Sequence, residues 1–346
     1  MSGLDDRLAA RIRDEGPIAY ASFVDAALYD DQDGFYAAHG SAGRRGDFIT
    51  SVEVGPLFGA VIANALDECW RALGRPTPFR VIEWGAGRGT LARTVLAAEP
   101  ECVGALDYVL VERSMRLRGD HPTGVPWTSV DGWPDGEAVH LVLANELLDN
   151  FAFDLVEWRG GRWCEVRVAH RPGGRFVEEL VDLPGGLDMW PATVVDEARV
   201  PVQTAAAGWL RDALGHVEDG RVIVIDYAAT TTSLAARPWR EWVRTYRGHE
   251  RGGDPLEAPG SQDVTCEVDI DQLAAVRAPD RVRTQAEFLR AHGIEPLVDE
   301  GRRVWQERAH LADLPALKAR SRVREAEALL DPTGLGAFLV LEWDVN

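Results

Sequence analysis

The stretch Arg80–Ala92, RVIEWGAGRGTLA, decides the fold. An apolar run closes on Glu83 and Trp84, glycines stand at 85, 87 and 89, and a helix-forming stretch begins at Thr90. That order describes a strand, a tight turn and a helix start, which is the first βα unit of a doubly wound parallel sheet. Ligands of such sheets lodge at the carboxyl ends of the strands, where the strand order reverses. Glycine lets the backbone take positive φ and come close to a ligand. A dinucleotide fingerprint needs G-x-G-x-x-G, with its amides and helix N-terminus on a pyrophosphate. Here the third glycine arrives one residue early, and Glu83 stands where it repels a phosphate and attracts a cation.

A sulfonium cofactor suits that charge. S-adenosyl-L-methionine carries a sulfonium and an ammonium, and S-adenosyl-L-homocysteine is what it leaves after methyl transfer. Glu112 ends the next apolar run, YVLVE, about 20 residues past the loop, where a carboxylate accepts the ribose hydroxyls. The cofactor-side candidates are Glu83, Gly85, Ala86, Gly87, Gly89, Thr90 and Glu112, with Asp131 after the third apolar run and Asn145 closing the fourth. A ligand-free turn packed against the sheet explains the glycines alone; the two acids argue for the cation.

Methyl transfer needs acceptor, methyl and sulfur in line in a dry pocket, and a group to collect a proton. The fourth apolar run ends VLANELLDN and brings Asn145, Glu146 and Asp149 to the edge of the sheet that carries the glycine loop. A helix starting after Asn145 puts Glu146 and Asp149 three apart on one face, able to grip a guanidinium or amine. An N-cap and a solvated helix start explain the same residues. Asp47, in RGDFITS, is the third candidate for the chemistry, with a loop turn as its plain alternative.

The rest of the chain bounds these readings. At 346 residues, with 37 basic and 56 acidic side chains and a net charge of −19, it disfavours nucleic acid and anionic membranes as partners and favours a cationic or neutral protein or small-molecule methyl acceptor. The stretch RPWREWVRTYRGHER interleaves arginine with aromatics, and against that net charge we read it as a lid over the pocket. Arg247, His249, Asp263 and Thr265 in the same region read as loop scaffolding. The four cysteines are far apart and form no metal or disulfide pattern. Without a leader pattern or a long apolar run, the expected location is cytoplasmic.

Apolar runs alternating with helical stretches give an α/β domain at 77–346, preceded by a helical extension at 1–76 that carries the GDFITS loop. Two insertions interrupt it. Residues from about 153 to 200 alternate polar and apolar with turns at Gly160-Gly161 and Pro172-Gly174, an antiparallel meander. Residues 230–269 show no sustained period, as expected of a cover over a site.

GPIAYASFVDAALYDDQDGFY, GDFITSVEVGPLFG, VIEWGAGRGTLA, ANELLDN, VIVIDY, SQDVTCEVD and LLDPTGLGAF follow one another along the chain. In that order they resemble the MidA-like family of S-adenosylmethionine-dependent methyltransferases, whose mitochondrial members are complex I assembly factors. The resemblance implies a class I methyltransferase fold, a Rossmann-like seven-stranded and mostly parallel sheet with inserted lid elements. It implies cofactor contacts from GDFITS, hence Thr50, from the Glu83–Gly89 turn and from Glu112. It also implies methylation of a protein arginine. Methylation of a small-molecule or peptide amine or hydroxyl, and a cofactor-binding assembly factor with little turnover, are the alternatives.

Overall fold

The computed structural model describes residues 3–38, 50–124, 126–136, 138–171, 173–183, 194–247, 250–311 and 313–346. Seven strands build the central sheet: β1 Phe79–Trp84, β2 Leu106–Val111, β3 Trp127–Val130, β4 Val139–Asn145, β5 Val217–Asp226, β6 Arg281–Thr284 and β7 Leu339–Val345. Their order is β3-β2-β1-β4-β5-β7-β6, with β7 antiparallel to both of its neighbours. The order reverses between β1 and β4, so the switch point lies beside the glycine loop.

Side chains alternate across the sheet as a two-residue period requires. Phe79 and Val81 face a core shared with helices Pro56–Ala72, Thr90–Ala97 and Gln285–Ala291; Ile82 faces the opposite core, under helices Thr204–His216 and Ile270–Val276. The strands buried on both faces are the uniformly apolar ones. Trp127–Val130 departs from that expectation: it is the edge of the sheet, and its middle residues are exposed.

The segment 1–76 is divided between two cores. Helix Pro56–Ala72 lies on the central sheet, whereas helix Tyr20–Tyr29 packs on a second, antiparallel sheet. The meander forms that second sheet with strands Asp154–Arg159, Arg162–Arg171 and Arg175–Asp182; Arg199–Val202 pairs with the first of these and Ile18–Ala19 with the second. Ile18 pairs with Val168, a contact across the whole first half of the chain.

Residues 230–269 are regular where the sequence suggests irregularity. Val243–Arg247 pairs with Asp263–Cys266 and Glu250–Arg251, and Trp242 is fully buried with its indole N–H donated to the Leu234 carbonyl, 3.1 Å away. The pairing joins short strands across a long loop, so no local period announces it. Trp242 belongs to the second core, and among the described residues none from 230–269 lines the main cleft. The described residues of this insertion thus pack mainly on the second core and lie outside the lining of that cleft. No helix among the described residues is long and apolar enough to cross a membrane.

Candidate functional site

A cleft of about 640 Å³ opens at the switch point. Its floor is the turn after β1. Gly85, Gly87 and Gly89 all take positive φ, at 71°, 54° and 73°. Only one of the three opens toward a ligand. A Cβ on Gly85 would lie 2.8 Å from Leu147, and one on Gly89 would lie 2.9 Å from Leu110, but one on Gly87 would meet nothing within 4 Å. Gly85, Ala86, Gly87 and Thr90 line the cleft; Gly89 instead caps the helix that starts at Thr90 and is tight for packing. His121, overlooked in the sequence, steadies the turn, with Nε2 at 2.9 Å from the Gly87 carbonyl and Nδ1 at 2.7 Å from Ser129 Oγ.

The two acids expected on the cofactor side both line the cleft. Glu83 is buried, accepts the Tyr108 hydroxyl at 2.8 Å and faces the amide of Ala92 in the first turn of the following helix. Burial pushes its carboxyl up to about 8, so it braces the turn more than it supplies negative charge. Glu112 accepts the Gly87 amide at 3.0 Å and the Ser114 amide at 2.8 Å, one on each oxygen. A carboxylate has about four lone-pair sites, and the Arg113 amide also faces it, so capacity for a ligand hydroxyl is left. Four polar atoms of lining residues are buried without a partner: the indole nitrogens of Trp84 and Trp209, and two oxygens, Thr50 Oγ1 and Asn145 Oδ1. Buried polar atoms are nearly always satisfied, so the two oxygens mark where a ligand's ammonium or hydroxyl belongs. The glycine turn open at Gly87, the Glu112 carboxylate and these two orphan atoms fit S-adenosylmethionine.

Asp131 does not join them. Its side chain is 78 % exposed, 3.6 Å from Arg118 and outside the cleft lining, because the edge strand before it leaves the loop at the surface. Asp47 lies outside the described residues, as does His249.

The acceptor-side pair is rearranged. No α-helix follows Asn145: Glu146 sits at φ 52°, and only Leu148–Asn150 forms a single 3₁₀ turn. Glu146 lines the cleft, its Oε1 accepting the Ser51 amide at 2.8 Å and Asn145 Nδ2 at 3.2 Å. Burial, with Asp149 adding to it, pushes this carboxyl up to about 8. Asp149 is buried away from the cleft, bonded to Asn150 Nδ2 at 2.7 Å, and burial raises its carboxyl too. The left-handed residue at 146 breaks the helical frame that would have put both acids on one face. Glu53 lies in the cleft wall instead, two residues after the Ser51 amide that holds Glu146. Asp25 and Asp212 line the same cleft, and its two arginines are paired: Arg88 is 3.6 Å from Asp120 and Arg113 is 3.4 Å from Asp25.

Sequence reading missed Asp226 as a site residue. It ends β5, fully buried beside the ELLDN turn, and its signal was present, since an acid closes this apolar strand much as Glu83 and Glu112 close theirs.

Fold and site together define a class I methyltransferase with its cofactor cleft at the β1/β4 switch point. A family model described as S-adenosyl-L-methionine-dependent methyltransferase matches residues 61–286, and the chain belongs to that family. It is similar to protein arginine methyltransferase NDUFAF7 of Xenopus laevis, 30% identical over 85% of this chain and 75% of that one. The Danio rerio protein of the same name is 29% identical over 83% of this chain and 76% of its own length. Both of these relatives are named as mitochondrial. Among solved structures, a COG1565 superfamily member from Burkholderia thailandensis bound to S-adenosyl-homocysteine superposes with a TM-score of 0.82 at 26% identity, covering 99% of this chain and 91% of the other. These findings bear out the MidA-like resemblance, the methyltransferase fold and the cofactor.

Proposed function

We propose that this methyltransferase modifies an arginine side chain of a protein, with Glu146 as the acceptor-side carboxyl. The observation that carries the reading is the wall of the cleft: Asp25, Glu53, Glu112 and Asp212 face a space whose only lining cations among the described residues, Arg88 and Arg113, are paired with acids. Such a wall attracts a cation and disfavours an anionic acceptor. The names of the relatives narrow that cation to arginine.

When bound, S-adenosyl-L-methionine supplies an electrophilic methyl on a sulfonium that leaves as a neutral thioether. The residues fitted to hold it are Gly87 at the turn, Glu112 at the ribose hydroxyls, and Thr50 and Asn145 at the methionyl end. Glu146 orients the guanidinium by accepting its N–H groups. A guanidinium in water keeps its proton and is a poor nucleophile. Glu146 takes the proton as the new N–C bond forms; it does so as the carboxylate, the form that prevails above about 8. Glu53 is the neighbouring acid placed to share the guanidinium.

The test is incubation of the purified protein with methyl-labelled cofactor and cell lysate, followed by hydrolysis of the protein fraction. We expect label in methylarginine; label confined to small metabolites would overturn the arginine reading.

A further inference from the structure

The parallel register that sets Ile225 beside Asn145 brings the next residue of each strand, Asp226 and Glu146, to the same end of the sheet. The Glu146 amide donates to the Ile225 carbonyl at 2.8 Å, which fixes where β4 stops. Beyond that point the chain turns, and Asp226 holds the turn. Its Oδ2 accepts three successive amides, from Leu147 at 3.2 Å, Leu148 at 2.9 Å and Asp149 at 3.3 Å. Its Oδ1 accepts the Tyr227 amide at 2.9 Å.

Four N–H groups thus converge on one side chain from two sides. Only a group with acceptors on both branches and no N–H of its own satisfies them; an amide would turn its NH₂ against one set of donors. Asp226 is fully buried and does not line the cleft, so it touches neither cofactor nor acceptor. Glu146, the residue it follows in space, occupies a left-handed conformation that a side-chain-bearing residue holds only when its surroundings enforce it. Ser51 and Asn145 grip the Glu146 carboxyl itself; Asp226 grips the backbone immediately after it.

We propose that Asp226 is a positioning residue for methyl transfer: by clasping the amides of residues 147–149 it keeps Glu146 in its left-handed conformation with its carboxyl in the cleft wall. This rests on the reading of Glu146 as the acceptor-side carboxyl. Two acids buried next to Asp226, Asp149 and Glu146, make its burial unfavourable, and burial raises its own carboxyl. A fold keeps such an arrangement where it serves a site.

The experiment is a cycle of Asp226→Asn, Glu146→Gln and the double variant, read by labelled methyl transfer to lysate protein, by calorimetric binding of S-adenosylhomocysteine, and by hydrogen exchange of the peptide spanning residues 145–151. Asp226→Asn should slow transfer by about 10- to 100-fold, the scale of a misplaced catalytic group. It should leave cofactor affinity within about twofold, speed exchange at amides 147–149, and cause no additional loss in the Glu146→Gln background. Losses that multiply in the double variant, or unchanged exchange at 147–149, overturn the proposal. Full activity in Glu146→Gln alone rejects the role of Glu146 itself, and label outside methylarginine rejects only the choice of acceptor, so these failures are separable. If Asp226→Asn does not fold, Asp226→Ser, which keeps one acceptor, runs the same cycle; if Glu146→Gln abolishes transfer, the exchange result decides.

Discussion

Glu146 combines a backbone conformation that costs about 1 kcal/mol or more with a carboxyl that is easier to keep neutral than charged. Its ordinary value of 4.5 is raised to about 8 by burial, and the acid nearby adds to the shift. The native state therefore holds a proton that the unfolded chain releases between those two values. The associated stability is complete below about 4.5 and is lost as pH rises through about 8. Glu146→Gln removes that dependence. Thermal unfolding should show the variant gaining on the parent from pH 5 to pH 9, by an amount on the order of a few kcal/mol; an equal difference at both pH values would contradict the assignment. The transfer rate of the parent should rise through pH 8 as the carboxylate forms. At this scale the sequence was informative where an acid closes an apolar run: Glu83 and Glu112 both line the cleft. It misled at Asp149, because a spacing of three means a shared face only on a helix, and one left-handed residue removes the helix. Asp226 closes an apolar run as Glu83 and Glu112 do, but what it holds, a set of backbone amides, is legible only in the fold.

The turn after β1 shows three glycines doing three different things. Gly85 lies against Leu147, Gly89 against Leu110, and Gly87 faces the open cleft. Gly87→Ala should thus cost only the strain of positive φ, roughly 1 to 2 kcal/mol, while its methyl intrudes on the cofactor. We expect a small fall in melting temperature of the free protein and a much larger fall in affinity for S-adenosylhomocysteine, measured by calorimetry; equal losses in both would mean the turn is structural only. The strands around this turn were legible because burial on both faces demands continuous apolar runs. The strand at Ile18–Ala19 and the small sheet within 230–269 were not, since each is short and owes its pairing to residues far away in the chain.

Across the whole molecule, the cleft is assembled where two cores meet. The central sheet provides the glycine turn, Glu112 and Glu146; the helix and loop that pack on the second sheet bring Asp25, Tyr29 and Tyr36 to the same cleft, with Tyr29 donating to the Asn150 carbonyl at 3.0 Å and Tyr36 to Asn150 Oδ1 at 2.6 Å. That joint could not be read from a chain divided at residue 76, because sequence order separates what the fold brings together. In a chain of net charge −19, the cleft wall too is rich in acids, which suits a cationic acceptor. The proposed function divides the cleft into two halves, one for the cofactor at Glu112 and one for the acceptor at Glu146. Titration calorimetry of S-adenosylhomocysteine against the parent, Glu112→Ala and Glu146→Gln tests that division most directly. The parent should bind, Glu112→Ala should lose about 1 to 3 kcal/mol and Glu146→Gln should bind nearly unchanged; unaltered binding in Glu112→Ala, or its collapse in Glu146→Gln, would contradict the division.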